Sequence, residues 1–495
     1  MDASQNLYAI LGIPPEATQD DIREAYRVAA RRFHPDANHN EGAEHVFRDI
    51  ATAYEVLGNP IERTGYDTAR RKYQDEPSYF TLRVTPSKRV LSLLDEPQVL
   101  YLLLEIVSMR GAAQQKRQTA RLNLTLVLDR STSMKGARLE RVKFAAQQII
   151  EQLTADDVLS VVTFSDRADV LIPASMVTDK LSLRAMINMM QADGGTEIFH
   201  GLSAGVEQCK RYLGPRMVNH VILLTDGRTF GDEQRCLDLA EGAASDGISI
   251  SAMGIGDEWN DAFLDSLASR TGGSTTYINA PSAVVKFLNE RVRTLGDAYA
   301  ERIHVSIAPD ADVKLESVFR LSPNPQALDL TRQPIPLGTL EANKTATVLI
   351  QLQMPAGHKA GFRTVARVDV TGDILSFGRL GYKVLSDLSV EVSESPPPEE
   401  PPLAVLDALG KLTLYRMQQK AENSIAKGNL VEGTRQLENL ATRLLASGHE
   451  DLAQMAMVEA RRVSNTQSLS EEGRKSLKYG TRMLLALPVP GGEET

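Results

Sequence analysis

The sequence predicts a multi-domain chain: an all-α N-terminal domain, a doubly wound α/β domain, an antiparallel β-sandwich and a C-terminal α-helical domain. Three changes of texture carry that reading. Residues 6 to 73 show helical periodicity throughout, residues 80 to about 395 mix β-rich runs with helical ones, and residues 404 to 487 return to helical periodicity. At 495 residues the chain is too long for one hydrophobic core, and a prior of roughly 150 residues per domain suggests about three domains. The expected boundaries are 1–75 for the first domain, 78–120 for strands that join the sandwich, 121–297 for the α/β domain, 298–394 for the sandwich, 395–402 for a linker and 403–495 for the helical tail.

The first domain starts a helix at Thr18, a hydroxyl N-cap followed by acids Asp20 and Asp21 in the first turn. Ile22, Ala25, Tyr26, Ala29, Ala30 and Phe33 fall on one side of it, and Arg23, Arg27, Arg31 and Arg32 project largely from the rest. Pro35 stops the helix and leaves His34-Pro35-Asp36 in a loop. A second amphipathic helix, AEHVFRDIATAYEVL, returns Phe47, Ile50, Ala51, Tyr54 and Leu57 against the first and closes an antiparallel hairpin.

In the middle of the chain, LNLTLVL, VLSVVTF, VNHVILL and ISISAMGIG alternate with helical segments near 137–153, 181–191, 199–212 and 233–245, which indicates a parallel sheet covered by helices on both faces. From about residue 301 the β-runs RIHVSI, VKLESVF, TATVLIQLQM, RTVARVDV and YKVLSDLSVEV follow one another without helices, the pattern of an antiparallel sandwich. Strand-like segments at 80–108 precede the α/β unit, so that unit is expected to be inserted in the sandwich. EVSESPPPEEPP at 391–402 favours an extended, solvated linker. Beyond it Leu, Ala, Ile and Met recur at helical spacing, with Gly428 and Gly448 at expected helix ends about 20 residues apart. Stacked helical hairpins resembling TPR repeats and a plain helical bundle both fit that tail.

A net charge of −9 argues against general affinity for nucleic acid or anionic membrane, and 5% aromatics are too sparse for a broad stacking surface. Two cysteines, Cys209 and Cys236, supply neither a four-cysteine zinc site nor a disulfide scaffold. The first residues lack the pattern of a secretory signal. The most apolar window, VLYLLLEIV, is short and contains Glu105, well below the ~20 residues that span a bilayer. A cytoplasmic protein is expected.

Two constellations carry chemistry. LYAILGI, the basic helix, HPD, a second helix ending AYEVLGNP, and ERTGYD occur in that order over residues 6–73. This stretch resembles the J domain of the DnaJ (Hsp40) co-chaperones. The resemblance implies an Hsp70 partner, with Arg23, Arg27, Arg31 and Arg32 meeting an acidic Hsp70 surface and His34, Pro35 and Asp36 acting at the junction of its nucleotide domain and linker. Charge steering plus a rigid turn needs no catalytic nucleophile, so no enzyme activity is expected of the chain itself. No Gly/Phe-rich stretch follows Tyr73 and no cysteine-rich zinc module is present, so the rest of the chain should define the client.

The second constellation is Asp129-Arg130-Ser131-Thr132-Ser133 after one strand, Gly194-Gly195-Thr196 before a helix, and Asp226 at the end of VILLT. In an open parallel sheet the carboxyl ends of strands meet at one edge, so these loops can converge there. Two carboxylates and three hydroxyls form an all-oxygen set suited to Mg²⁺ or Mn²⁺. The stretch from about 121 to 297 resembles a von Willebrand factor A domain with a complete metal-ion-dependent adhesion site. The resemblance implies metal binding through the hydroxyls of Ser131, Ser133 and Thr196 and, largely through water, by Asp129 and Asp226. It implies too that a partner's Glu or Asp completes the coordination. A scaffold in which the J domain is secondary is the first alternative, and a metal-dependent hydrolase the second. The latter is disfavoured because DxSxS lacks the second aspartate of the DxD phosphatase pattern.

Weaker signals have bland readings. Gly254-Ile255-Gly256 lacks the third glycine of a dinucleotide fingerprint and reads as a turn. His200 and His220 read as structural, Asp193 and Asp257 as solvated loop carboxylates, and Trp259 as either a border of the metal face or a cover for a helix end.

Overall fold

The computed structural model describes residues 5–71, 78–109, 120–214, 216–229, 231–357 and 359–485. The outermost residues of the first and last expected domains, and 110–119 of the segment expected to join the sandwich, lie outside the described residues. The chain forms two compact units, one of residues 1–118, 299–323 and 327–405, the other of 119–298, 324–326 and 406–495.

The first unit begins with α1 (Leu7–Leu11), α2 (Gln19–Phe33), α3 (Glu41–Leu57) and α4 (Pro60–Arg70). Thr18 caps α2 in a reciprocal box: its hydroxyl accepts from Asp21 N, and the Asp21 carboxylate accepts from Thr18 N. Ile22, Ala29 and Phe33 of α2 are buried with Val46, Ile50, Ala53 and Leu57 of α3, and Tyr26 stacks on Tyr54 with centroids 4.0 Å apart. The expected hairpin is therefore present. Strands β1 (Phe80–Pro86), β2 (Val90–Ser92) and β3 (Gln98–Ser108) follow.

The α/β domain of the second unit comprises β4 (Arg121–Asp129), α5 (Ala137–Gln152), β5 (Val158–Phe164), β6 (Ala168–Met176), α6 (Lys180–Asn188), α7 (Ile198–Lys210), β7 (Met217–Thr225), α8 (Glu233–Ser245), β8 (Ser249–Ile255), α9 (Asp261–Ser269), β9 (Thr275–Ile278) and α10 (Val284–Gly296). The sheet order is β6-β5-β4-β7-β8-β9. Helices α7, α8 and α9 share an apolar cluster with the sheet through Val127, Val162, Val221 and Ile250, while α5 packs against α10. The expectation of a wholly parallel sheet needs correction: β6 runs antiparallel to β5 at the sheet edge. Six of its nine residues are apolar, yet it is largely solvated, as an edge strand can be, and its Pro173, which cannot donate to a sheet ladder, suits an edge position.

The sandwich resumes with β10 (Ala298–Pro309), β11 (Lys314–Ser322), β12 (Gln326–Ala327), β13 (Ile335–Glu341), β14 (Thr345–Met354), β15 (Gly361–Ile374) and β16 (Arg379–Ser393). Its two sheets are β1-β3-β14-β11-β12 and β13-β10-β15-β16-β2, with one core between them formed by residues such as Leu102, Leu104, Ile350, Val305, Val368 and Val390. Because β3 pairs with β14, strands on both sides of the α/β domain in sequence share one sheet. The short β2 runs parallel to β16, a departure from a purely antiparallel pattern. Strand β16 also extends through Ser393, so residues 391–393 belong to the sheet rather than to the proline-rich linker.

The C-terminal helices are α11 (Leu403–Ala426), α12 (Leu430–Ala446), α13 (Glu450–Thr466) and α14 (Glu471–Leu484), with Gly428 and Gly448 in the turns where the sequence puts helix ends. No helix among the described residues is long and apolar enough to cross a membrane.

Candidate functional site

Helix α2 ends at Phe33, and His34 adopts an extended backbone ahead of Pro35. The amides of Ala37 and Asn38 both donate to the His34 carbonyl, at 2.9 and 2.8 Å, and close the loop. The His34 ring stands edge-on to Phe47, with centroids 5.2 Å apart, and its Nδ1 accepts from the Asp36 amide at 3.2 Å. The side chains of His34 and Asp36 are 44% and 91% exposed, so the tip offers an imidazole and a carboxylate to solvent.

Arg23, Arg27 and Arg31 are exposed on α2. Arg32 is not among them, which corrects its grouping with the other three. One residue past Arg31 lies about 100° further round the helix, and there Arg32 faces the sandwich. Its Nε donates to Asp310 Oδ1 at 2.5 Å and its Nη1 to Asp387 Oδ1 at 3.2 Å. Asp387 also takes a bidentate pair from Arg367, whose Nη1 donates to the Ile10 carbonyl of α1 at 2.8 Å. Although burial favours the neutral acid, the Arg367 hydrogen bond and the two guanidinium charges hold the Asp387 carboxyl below the usual range. At α3, a Cβ on Gly42 would lie 1.9 Å from the Ile307 carbonyl oxygen, so only glycine permits this approach of helix to strand.

At the carboxyl edge of the α/β sheet, the loops after β4 and β7 and the loop before α7 meet. Asp129, fully buried, accepts from Ser131 N at 2.8 Å through Oδ1 and from Thr225 Oγ1 at 2.6 Å through Oδ2. Ser131 Oγ lies 3.0 Å from Ser133 Oγ, and Ser133 Oγ donates to Asp226 Oδ1 at 2.6 Å. Thr196 Oγ1 lies against Gly227, next to Asp226. The loop that carries it is tied to the first by Thr132, whose amide and hydroxyl both donate to the Gly194 carbonyl. Gly194 has a φ of +78°, the left-handed conformation that suits glycine. All five predicted metal residues thus come together.

Burial pushes the Asp129 carboxyl up to about 6, against the hydrogen bonds from Ser131 and Thr225, with the charge of Asp226 adding to the rise. Arg138, at the start of α5, donates to Asp226 Oδ2 at 2.6 Å. Among the described residues, the two buried carboxylates beside three hydroxyls share one paired guanidinium, that of Arg138, and the donors are all oxygen. This set fits a hard divalent cation. A groove of about 430 Å³ runs along Ser133 and Thr196 to Arg228, Asp257, Glu258 and Glu471 of α14.

Thr225 and Arg138 escaped sequence reasoning, as did the sandwich carboxylates. A threonine at the end of VILLT and an arginine five residues past Ser133 carry no signal apart from the fold. Of the weaker signals, Asp257 lines the groove, whereas Asp193 is an exposed loop residue. His200 pairs with Glu197 on the surface; His220 is buried against Ser251 Oγ at 3.0 Å, and burial lowers its pKa. Trp259 is fully buried and donates to the Gly256 carbonyl at 2.7 Å, so it is a core residue behind the groove wall. Gly254 lies under its ring and serves packing rather than a dinucleotide.

Known proteins share these parts. Residues 6–67 match the DnaJ domain, residues 123–291 the von Willebrand factor type A domain and residues 403–487 the Sll0103-like, C-terminal alpha-helical domain. Uncharacterized protein sll0103 of Synechocystis is 29% identical over 385 residues, 75% of this chain and 90% of that protein. The chaperone protein DnaJ of Lactiplantibacillus plantarum is 46% identical over 65 residues, 13% of this chain and 17% of that one. DnaJ 2 of Thermus thermophilus is 48% identical over 68 residues, 14% of this chain and 24% of that one. The chain thus spans less than a quarter of either DnaJ chaperone. Among solved structures, a von Willebrand factor type A protein from Catenulispora acidiphila superposes with a TM-score of 0.65 at 17% identity, over 82% of this chain and 98% of that one. The ArnB paralog VWA2 from Sulfolobus acidocaldarius does so with a TM-score of 0.52 at 14% identity, over 83% of this chain and all of that one. At such identities the likeness is one of fold. This chain joins an N-terminal DnaJ domain to a von Willebrand factor type A domain and carries an Sll0103-like helical domain after them.

Proposed function

We propose that the chain is an Hsp70 co-chaperone: its J domain stimulates ATP hydrolysis by an Hsp70, and its A domain holds a client or assembly partner through a divalent cation. The observation that carries the first half is the HPD tip, open to solvent beside the exposed Arg23, Arg27 and Arg31 while the opposite side of the same helix is anchored. Hydrolysis belongs to the Hsp70. This chain contributes a charge-steered contact, an imidazole and a carboxylate on a rigid turn, and no turnover of its own.

For the second half, Ser131, Ser133 and Thr196 would hold Mg²⁺ or Mn²⁺ directly, and Asp129 and Asp226 largely through water. When bound, the cation supplies an electrophilic point that accepts a partner's Glu or Asp. Asp129 holds the Ser131 amide in place, Thr225 orients Asp129, and Arg138 balances Asp226. The buried thiols suit a reducing, cytoplasmic setting; burial pushes Cys209 up to about 12, away from reactivity.

His34→Gln is expected to abolish stimulation of a cognate Hsp70 ATPase in a steady-state assay; undiminished stimulation sinks the co-chaperone reading. Asp129→Ala is expected to remove those partners that cross-linking recovers in Mg²⁺ but not in EDTA, with the far-UV spectrum unchanged. Retention of the same partners in the variant refutes metal-mediated binding.

A further inference from the structure

The HPD loop is gripped at both shoulders by the sandwich. On the helix side, Arg32 reaches Asp310 and Asp387, and both its side chain and that of Asp310 are less than one-fifth exposed. On the far side, Asn38 is buried, and its Nδ2 donates to the Arg32 carbonyl at 3.1 Å and to the Pro309 carbonyl at 2.9 Å. Its Oδ1 accepts from the Asn40 amide at 3.1 Å, and Asn40 Nδ2 donates to the Asp310 carbonyl at 3.1 Å. The gripping turn is itself fixed. Asp310 N donates to the Val365 carbonyl and Val313 N to the Asp310 carbonyl, both at 2.9 Å, and Thr364 Oγ1 donates to Asp310 Oδ2 at 2.6 Å.

The exposed tripeptide His34-Pro35-Asp36 therefore hangs between two anchors, residues 32 and 38, that meet one turn of a different domain. We infer that the β10–β11 turn of the sandwich, through Asp310, is a positioning element for Hsp70 stimulation, and that Arg32 serves as an anchor to that turn and not as a contact with Hsp70. A loop that must place an imidazole and a carboxylate on a partner gains from being held in one conformation before encounter. Release of either shoulder frees the loop without touching His34, Asp36 or the three exposed arginines. The encounter is then preserved and its outcome degraded. This inference rests on the proposed Hsp70 partnership.

The test uses the full chain and a purified Hsp70, with ATPase stimulation followed against chain concentration and amide hydrogen exchange measured over residues 33–40. Arg32→Asp and Asp310→Arg should each lower maximal stimulation by about tenfold or more, the scale of a displaced reacting group. The half-saturating concentration should change by less than about twofold, because Arg23, Arg27 and Arg31 still steer. The milder Asp310→Asn and Asn38→Ala, which keep the fold if the reversals do not, should give smaller losses. Exchange should rise in step with the loss in every variant, and the double swap, Arg32→Asp with Asp310→Arg, should recover both. Undiminished stimulation in Arg32→Asp or Asp310→Arg overturns the inference. Any variant in which the two separate overturns it, above all a swap that restores protection but stays as inactive as Arg32→Asp, since Arg32 would then act on Hsp70 directly. A wild-type chain that stimulates no Hsp70, or His34→Gln that stimulates normally, instead defeats the partnership on which the inference stands.

Discussion

Two helical modules are each seated on a β-containing scaffold by cations and carboxylates, and they are seated differently. In the first unit the J domain touches the sandwich with whatever each element has at the point of contact: the end of α1, a shoulder of α2, the asparagines Asn38 and Asn40 ahead of α3, and Gly42 of α3. In the second unit α14 lies along α9 of the A domain as a ladder. Arg474, Lys478 and Arg482, four residues apart, face Asp261 and Asp265, also four apart. Arg474 donates to Asp261 Oδ1 at 2.7 Å, and Arg482 makes a bidentate pair with Asp265 at 2.8 and 2.7 Å. Lys478 reaches both acids. Burial favours the neutral acids, but these cations hold both carboxyls below their ordinary range, Asp261 well below it. The irregular contact grips a loop and leaves its tip free; the ladder fixes a helix along its length and sets Glu471, its first residue, on the groove that Ser133 and Thr196 line.

The ladder concentrates its energy in few groups, so its disruption should give the largest effect. Asp265→Ala strands Arg482, almost wholly buried, beside Lys478, and removal of one partner of a buried pair costs about 3–5 kcal/mol. The single tryptophan, Trp259, reports on this interface, since its ring centroid lies 5.8 Å from that of Tyr479 on α14. In a denaturant titration the variant should show Trp259 emission changing at markedly lower denaturant than in the wild type. An unshifted midpoint would mean that apolar packing, and not the ladder, seats the tail.

The J domain contact should break by sterics as well as by charge. Gly→Ala on an open helix face stabilises by up to ~1 kcal/mol. Gly42→Ala should do the reverse, with a loss of about 1–3 kcal/mol, because the new methyl meets the Ile307 carbonyl and no side-chain rotation relieves a clash with backbone. Thermal unfolding together with exchange over 41–57 checks this; a variant as stable as the wild type would show that α3 can lift from β10 at little cost.

The same contrast separates what the sequence makes legible from what it hides. HPD, DRSTS, GGT and TDG are short patterns whose positions at helix and strand ends follow from local periodicity, so both sites could be drawn before the fold was known. Thr18, Gly428 and Gly448 likewise announce helix ends. The docking residues could not be found this way. Arg32 and its partners Asp310 and Asp387 lie 278 and 355 residues apart in sequence, and nothing periodic links them. Even the ladder, regular on each helix, gives no clue from sequence that its two halves face each other. The sequence of α2 reads as uniformly basic, and only the fold shows that one of its arginines, Arg32, is paired with the sandwich.

The smallest effect concerns Lys475, a lysine buried against carbonyls, whereas Lys383, the buried lysine at the J domain contact, is paired with the carboxylates of Asp49 and Asp369. The Lys475 side chain is fully buried, its Nζ donates to the carbonyls of Asp257 and Trp259 at 2.6 Å each, and it sits 4.2 Å from the Trp259 ring centroid. Burial pulls its pKa down from 10.5 to about 8, although the charge of Asp261 resists. Below pH 8 the ammonium is charged in both folded and unfolded chains, and the burial penalty is fully present. Between about 8 and 10.5 the unfolded chain binds the proton more tightly, so stability from this group rises with pH. By pH 9.5 the gain amounts to about 2 kcal/mol. Lys475→Met keeps the volume and should change stability at pH 7 by less than about 1.5 kcal/mol. The difference between wild type and variant, rather than either curve alone, isolates the lysine from Lys478 and the tyrosines that titrate nearby. That difference, followed by Trp259 emission in denaturant at pH 7, 8, 9 and 9.5, should move in favour of the wild type above pH 8. A difference independent of pH would show that Lys475 remains charged throughout, with the two carbonyls and the indole ring replacing the water it gave up.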